Sequence, residues 1–521
     1  MLGIEKIENA AKLNRDELFR FGVSLLFIVG IMLFTIVRMD EGPNSILLVI
    51  AAMIGGYMAM NIGANDVANN VGPAVGSHAI TLTGAVAIAA IFEAGGALIA
   101  GGDVVGTIKK GIIDPAMIGD PDTFIWLMIA ALLAAALWLN LATALGAPVS
   151  TTHSIVGGVL GAGIAAGGWT IANWEQVAMI VASWVISPLF GGIIAATFLY
   201  IIKHKVTYRD DVMDAARRVV PILVATMAWA FGTYLMLKGV KHIWKVSIIE
   251  AALIGLAVAA IVYVIVRPMI HRLAARLPNE KQSVNSMFTI PLIFAAALLS
   301  FAHGANDVAN AVGPLAGINE AIVGGAVSVK AAIPLWVLLV GALGISVGLA
   351  LYGPKLIRTV GSEITELDRT RAFCIAMAAA ITVIIASQLG LPVSSTHIAV
   401  GGVFGVGFLR EYLKINYARM IEEVKTHYGD DRPDEVQEFL EKFEKASVTA
   451  KGAMLQELKR KSRSDNLLSK KERKNLGRIH RLELVRRSLL LRIVAAWVIT
   501  VPLAGIMGAM FFFMMRGIML P

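Results

Sequence analysis

Two stretches of this chain are near copies of each other. Residues Gly63 to Gly76 read GANDVANNVGPAVG and Gly304 to Gly317 read GANDVANAVGPLAG, with 11 of 14 positions identical and 241 residues between their starts. Each copy sets a carboxylate and several carboxamides directly after an apolar run, NSILLVIAAMIGGYMAM before the first and TIPLIFAAALLSFAH before the second. A second pair repeats too: APVSTTHSIVGGVLGAG (Ala147 to Gly163) and LPVSSTHIAVGGVFGVG (Leu391 to Gly407) agree at 11 of 17 positions, 244 residues apart. Two motif pairs in the same order at nearly the same offset mean that the chain is built from two homologous halves, roughly 44–204 and 285–410 with 488–517.

The medium in which those halves fold follows from what separates the motifs. A membrane-spanning helix needs about 20 mostly apolar residues. Such runs lie near 21–38, 44–62, 80–101, 123–145, 174–204, 220–239, 246–267, 289–304, 332–352, 371–390 and 488–517, and nearly every charge falls between them. With 57% hydrophobic and 16% charged residues and a mean hydropathy of +0.72, the chain lies well outside the range of soluble domains. The expected fold is an all-α polytopic membrane protein with roughly 11–13 transmembrane segments. The net charge of +9 then reflects Lys- and Arg-rich cytoplasmic loops and does not call for nucleic acid as a partner. The amino terminus, MLGIEKIENAAKLNRDELFR, mixes both charge signs before its apolar run, unlike a cleaved signal, so 21–38 reads as a retained span. Cys374 is the single cysteine; it excludes an internal disulfide framework and reads as a small core hydrophobe.

The organisation expected along the chain is an N-terminal segment with an extra helix (1–43), a first half (44–204), connecting helices and loops (205–284), a second half (285–410), a charged insert (411–487) and a last helix (488–521). Loop charges set the orientation of the halves. The amino terminus, Lys203 to Arg218, Arg267 to Lys281, Lys355 to Arg371 and the insert all carry basic residues. All five are cytoplasmic only if the PVSTTH and PVSSTH segments each cross the membrane, which gives roughly 13 crossings. On that count the two halves are inverted, although the basic stretch Lys238 to Lys245 falls outside. Inverted repeats with discontinuous helices are the architecture of secondary transporters, whose site lies near the bilayer midplane where the halves meet.

Ionisable groups inside membrane segments are costly and mark functional sites. In a helical reading, Asn65 and Asn69 are spaced i,i+4 and Asp66 and Asn69 i,i+3, so they share a face; Asn306, Asp307 and Asn310 repeat the pattern. Their oxygens suit a small hard cation such as Na⁺, and an aspartate alternatively carries H⁺. Gly63, Gly72 and Pro73, with Gly304, Gly313 and Pro314, are expected to break the helices and free carbonyls as further ligands. The bland alternative is that these side chains only hydrogen-bond helices together; a twofold occurrence with one spacing weighs against it.

The second motif offers donors. Pro148 or Pro392 favours a helix start, and Ser150, Thr151 and Thr152 or Ser394, Ser395 and Thr396 supply hydroxyls at an N-terminus whose N–H groups and dipole attract an anion. Ordinary capping without a ligand is the alternative. His153 and His397 follow the hydroxyls, either as gates or proton relays or as structural side chains. The apolar runs hold almost no Lys or Arg to neutralise an anion, Lys330 lying at the edge of one, so helix ends and co-bound cations must do so. That arrangement couples anion to cation. Glu93 is a further intramembrane carboxylate, readable as cation ligand, proton site or helix contact; 241 residues on, its position holds Pro334.

These motifs resemble those of the inorganic phosphate transporter (PiT) family, over nearly all of 44–410 and the last helix. The resemblance implies a cation-coupled symporter of inorganic phosphate in the cell membrane, often homodimeric, without a cofactor and with no catalytic group. It also implies that Ser150, Thr151, Thr152, Ser394, Ser395 and Thr396, with Asp66 and Asp307, bind phosphate. Asn65, Asp66, Asn69, Asn306, Asp307 and Asn310, with Glu93, would then hold the coupling Na⁺ or H⁺. Hydroxyl and amide donors accept sulfate or another tetrahedral oxyanion equally well, which is the alternative substrate. An aspartyl protease dyad of Asp66 and Asp307 leaves the repeated asparagines and hydroxyls unexplained, and no P-loop for an ATP-driven pump is present.

The insert Glu411 to Arg487 is the only sizeable polar stretch. An amphipathic helix is expected around 433–446, and the basic segment Lys470 to Arg487 suits an anionic cytoplasmic membrane face; the insert reads equally as a regulatory module or as a topology-setting solvated linker.

Overall fold

The computed structural model describes residues 2–38, 45–118, 120–145, 149–239, 244, 246–324, 333–363, 367–428 and 487–519. Pro148, Lys330, most of the 238–245 loop, and the 433–446 and 470–486 stretches of the insert lie outside the described residues. Regular structure among the described residues is helical, apart from one bridge between Ile113 and Ala172.

In chain order the helices are α1 (Leu2–Arg38), α2 (Ser45–Asn65), α3 (Val67–Gly76), α4 (Leu82–Ala100), α5 (Gly102–Gly106), α6 (Pro121–Ala144), α7 (Thr151–Gly167), α8 (Trp174–Ile202) and α9 (Val212–Lys238). They continue with α10 (Ile248–Arg276), α11 (Lys281–Met287), α12 (Thr289–Asp307), α13 (Ala309–Gly324), α14 (Leu335–Glu363), α15 (Arg369–Gln388), α16 (Ser395–Tyr428) and α17 (Arg487–Met519). Local sequence sets many of the starts. Asp120 caps α6 ahead of Pro121, Asn173 caps α8, Asp211 caps α9, Asp368 caps α15, and Ser247 with Glu250 forms a capping box on α10; each supplies an acceptor to an N–H that the helix cannot satisfy itself.

Among the described residues, eleven helical stretches are long and apolar enough to cross a membrane, matching the eleven apolar runs of the sequence. Two of them, Ser45–Gly76 and Thr289–Gly324, run straight through the polar GANDVAN motifs, where the apolar runs had ended. α7 and α16, opened by the hydroxyl motifs, are the two segments that the loop charges require to cross as well; neither is among those eleven stretches. The 17 residues of α7 extend about 25 Å, close to the thickness of the hydrocarbon core.

The helix pairings repeat between the halves. α2 packs on α14 and α12 on α4; α7 packs on α17 and α16 on α8; α6 packs on α7 and on α17, and α15 on α16 and on α8. The first two sets join helices of opposite halves, so the halves interlock. The register of this packing is visible at two glycines. A Cβ at Gly63 would strike the Ile345 carbonyl on α14, and one at Gly304 would strike the Glu93 carbonyl on α4. Glu93 therefore corresponds to Ile345 and not to Pro334. The connection between α3 and α4 is shorter than that between α13 and α14, which shifts the equivalence beyond the motif offset. α10 packs chiefly on α9 and turns Leu253, Leu256, Ile261 and Val264 outward, the apolar surface of a helix that faces lipid.

Candidate functional site

The site forms where two helix pauses meet two helix starts. α2 gives way to α3 at Asp66 and α12 to α13 at Val308. These pauses are slight: Asp66 keeps helical dihedrals (φ −83°, ψ −35°). At each, the ladder tightens to i−3 spacing, Asn69 N donating to Asp66 O (3.0 Å) and Ala311 N to Val308 O (3.1 Å). The glycines and prolines expected to break the helices do not do so; Pro73 lies within α3 and Pro314 within α13. Each proline still removes the i+4 donor of an asparagine carbonyl, at Asn69 and Asn310 respectively.

Asn65 and Asn306 hold the loops that carry the hydroxyl motifs. Asn65 donates to Thr143 Oγ1 (2.9 Å) and accepts from Val149 N (3.3 Å). Asn306 donates to Ser387 Oγ (2.9 Å) and to Leu391 O (3.3 Å). The two asparagines thus brace the entries to α7 and α16. Ser150 and Ser394 cap those helices, their Oγ atoms accepting from His153 N and His397 N (3.2 Å each), which leaves the hydroxyl hydrogens as donors.

The remaining polar groups converge on Asp66. Thr151 donates to its Oδ2 (2.6 Å) and Thr396, from the other half, to its Oδ1 (2.9 Å). Asn69 in turn donates to Thr396 Oγ1 (2.9 Å), and Asn310 donates to Thr151 Oγ1 (3.2 Å) and Thr152 Oγ1 (3.1 Å). Thr152 donates across the halves to Val393 O (3.0 Å), and Ser395 donates to Asp307 Oδ2 (3.3 Å). Thus Asp66, Asn69, Asp307, Asn310, Thr151, Thr152, Ser395 and Thr396 share one buried cluster. Helix starts α7 and α16 point into it, and their free N–H groups and positive ends favour negative charge there.

Satisfaction of the cluster is one-sided. Among the described residues, the buried Oδ1 atoms of Asn69, Asn306, Asp307 and Asn310 have no hydrogen-bond partner. All four are acceptors, and a buried acceptor without a partner is costly. A small hard cation such as Na⁺, or a proton donor, would supply what they lack.

His303, not singled out by the sequence reading, joins the cluster with Glu93. Asn70 donates to Glu93 Oε1 (2.8 Å), Glu93 Oε2 lies 2.6 Å from His303 Nδ1, and His303 Nε2 lies 3.0 Å from Asp307 Oδ2. The signal was present: an imidazole inside an apolar run, four residues before Asp307. His153 and His397 instead pack together at 4.4 Å between ring centroids, backed by Trp184 and Trp497. They sit outside the hydrogen-bonded cluster.

The fold and the repeated motifs can now be set beside known proteins. Residues 62–508 match the model of the phosphate transporter family. A Helicobacter pylori (strain J99) protein named "putative phosphate permease" is 50% identical over 520 residues, covering 98% of this chain and 97% of its own. A Pyrococcus furiosus protein of the same description is 41% identical over 373 residues, covering 71% and 89% respectively. A solved structure described as the sodium-dependent phosphate transporter superposes with a TM-score of 0.73 at 32% identity, covering 91% of this chain and 99% of that one. The match spans both GANDVAN copies, both hydroxyl motifs and most of α17, and the chain belongs to the phosphate transporter family.

Proposed function

We propose that this chain is a secondary transporter that carries inorganic phosphate across the cell membrane with a coupling cation, Na⁺ in the first instance, through two inverted halves. One observation carries the reading: Thr151 and Thr396, one from each half, both donate to the carboxylate of Asp66. The groups best suited to hold phosphate are therefore bonded to a group suited to hold a cation. A cation on Asp66 competes for the same oxygen lone pairs and turns the two hydroxyls out as donors. It also cancels a charge that repels the anion. Phosphate then meets hydroxyls, helix-start N–H groups and the bound cation together, so each ligand strengthens the site for the other. The sodium dependence named for the similar solved structure supports Na⁺ over H⁺.

The test is uptake of radiolabelled phosphate into liposomes holding the purified protein, with Na⁺ and H⁺ gradients imposed separately. Accumulation driven by an inward Na⁺ gradient is expected. Equal uptake with no cation gradient would exclude symport, and drive by H⁺ alone would reassign the coupling ion.

A further inference from the structure

The two halves match at Asp66 and Asp307 but differ in what stands behind each aspartate. Behind Asp307 runs the buried chain Asn70, Glu93, His303. In the packing register fixed by Gly63 on Ile345 and Gly304 on Glu93, the corresponding positions around Asp66 are Ala311, Ile345 and Ile62. A polar, nitrogen-bearing arm has been placed on one side of an otherwise duplicated site.

Its geometry is that of a metal ligand. Glu93 Oε2 lies 2.6 Å from Nδ1; in the tautomer with the hydrogen on Nδ1, Glu93 accepts it and the Nε2 lone pair is presented toward the cluster, the arrangement in which a carboxylate orients and strengthens a metal-binding histidine. His303 is fully buried, and its Nε2 has no hydrogen-bond partner among the described residues. Its contact with Asp307 is at ion-pair distance without hydrogen-bond geometry. Ligand atoms of Asp66, His303 and Asp307 all lie within 4.8 Å of one another. Bond lengths to a divalent transition metal, roughly 2.0–2.2 Å, are met after a small inward shift of these side chains. Two carboxylates balance a 2+ ion, and an imidazole nitrogen favours zinc, nickel, cobalt or copper over alkali ions.

We propose that Asp66, Asp307 and His303 Nε2 form a binding site for one divalent transition-metal ion, oriented by Glu93, and that a metal held there blocks coupled phosphate uptake. The proposal rests on the transport reading for its consequence, because the metal occupies the aspartate that the coupling cation uses. The binding itself does not depend on that reading.

The experiment is titration of the purified detergent-solubilised protein with Co²⁺, followed by its visible absorption, and with Zn²⁺ as competitor. Uptake is measured in parallel with and without Zn²⁺. One saturable Co²⁺ site with a low-coordinate spectrum is expected, displaced by Zn²⁺, together with Zn²⁺ inhibition of uptake. Glu93→Gln should weaken Co²⁺ binding by about 10- to 100-fold, as loss of an orienting partner does. His303→Ile, which copies Ile62, should abolish the spectrum. Monodisperse elution and helical circular dichroism show whether either variant is folded; should His303→Ile not fold, the Glu93→Gln shift decides. No saturable Co²⁺ binding, or binding unchanged in the folded variants, overturns the proposal even where Na⁺-driven uptake is intact. Co²⁺ binding as described by a protein that takes up no phosphate would instead overturn the transport reading alone.

Discussion

Thr396 donates a 2.9 Å hydrogen bond to Asp66 across the boundary between the two halves. In sequence these residues are 330 apart, yet they are joined at the point where a helix of one half pauses and a helix of the other begins. The bond ties the arrangement of the halves to the charge of one carboxylate, so whatever binds Asp66 acts on both halves at once. Thr151 makes the equivalent bond from within the first half. The corresponding contact at Asp307 is weaker: Ser395 reaches it at 3.3 Å, while His303 lies at 3.0 Å. Duplication therefore gives two similar aspartates in two chemical settings.

Asp66→Asn should leave folded protein and abolish cation-driven accumulation. The amide keeps the shape and one of the two oxygens that accept from Thr151 and Thr396, but it puts a donor in place of the other and removes the charge that a cation requires. A neutral amide no longer offsets the cost of taking a cation out of water into this buried site, so coupled binding is lost. Liposome uptake together with size-exclusion elution checks this; accumulation near the parent level would place the coupling cation elsewhere.

Gly63→Ala should destabilise the protein, because the new Cβ meets the Ile345 carbonyl where α2 crosses α14. Backbone cannot move aside as a flexible side chain can, so overpacking of about 1–3 kcal/mol is expected. Gly106→Ala, where a Cβ meets nothing within 4 Å, is the control. Thermal unfolding in detergent should show a lowered midpoint for the first variant and not for the second.

Inversion of the halves predicts that the ends of α3 and α13 reach opposite membrane faces. Cysteines placed at His78 and Val323, both exposed, in a Cys374→Ala background should react with an impermeant maleimide from opposite sides of sealed vesicles. Labelling from the same side would make the halves parallel.

Much of this was legible in the sequence because a bilayer makes polar residues conspicuous. GANDVAN and PVS[ST]TH stand out against apolar runs, and their repetition locates the meeting of the halves. Three features were hidden, each for a physical reason. The apolar runs near 44–62 and 289–304 stop at the motifs, whereas the helical stretches continue to Gly76 and Gly324, since burial against the other half replaces hydropathy as the support for these residues. Glu93 could not be matched to Ile345 because connections of unequal length separate the motifs from α4 and α14. The asparagines at 65 and 306 carry the same side chain as 69 and 310 but turn toward the ends of α6 and α15 and the segments that follow them, a distinction set by contacts more than 75 residues away in sequence.

Thr152 and Thr396 hold matching positions in the two hydroxyl motifs, yet they now have different expected roles. Thr152 gives its hydrogen to Val393 O and receives from Asn310; it pins the two helix starts together. Thr152→Val should therefore lower stability by about 1 kcal/mol, the usual worth of such a bond, and act on phosphate affinity only indirectly. A lowered unfolding midpoint with a small change in affinity checks this; the reverse pattern would make Thr152 a substrate ligand.

Thr151→Val and Thr396→Val test the coupling most directly, because they should move the two ligands in opposite directions. In the proposed mechanism each hydroxyl bonds Asp66 when no cation is bound and phosphate when one is. At saturating cation, loss of a charge-assisted hydrogen bond of about 1.5–3 kcal/mol should weaken phosphate binding by about 10- to 150-fold. Without phosphate, the cation no longer has to displace a hydroxyl from Asp66, so its affinity should rise. At subsaturating phosphate the linked cation affinity should fall again, since cation binding then draws on a weakened anion site. Equilibrium binding of ²²Na⁺ and ³²P-labelled phosphate to purified protein, each titrated with and without the other, measures all of these. If both affinities fall together even in the absence of the partner ligand, the hydroxyls serve only to shape the site, and the exchange at Asp66 is not the source of coupling.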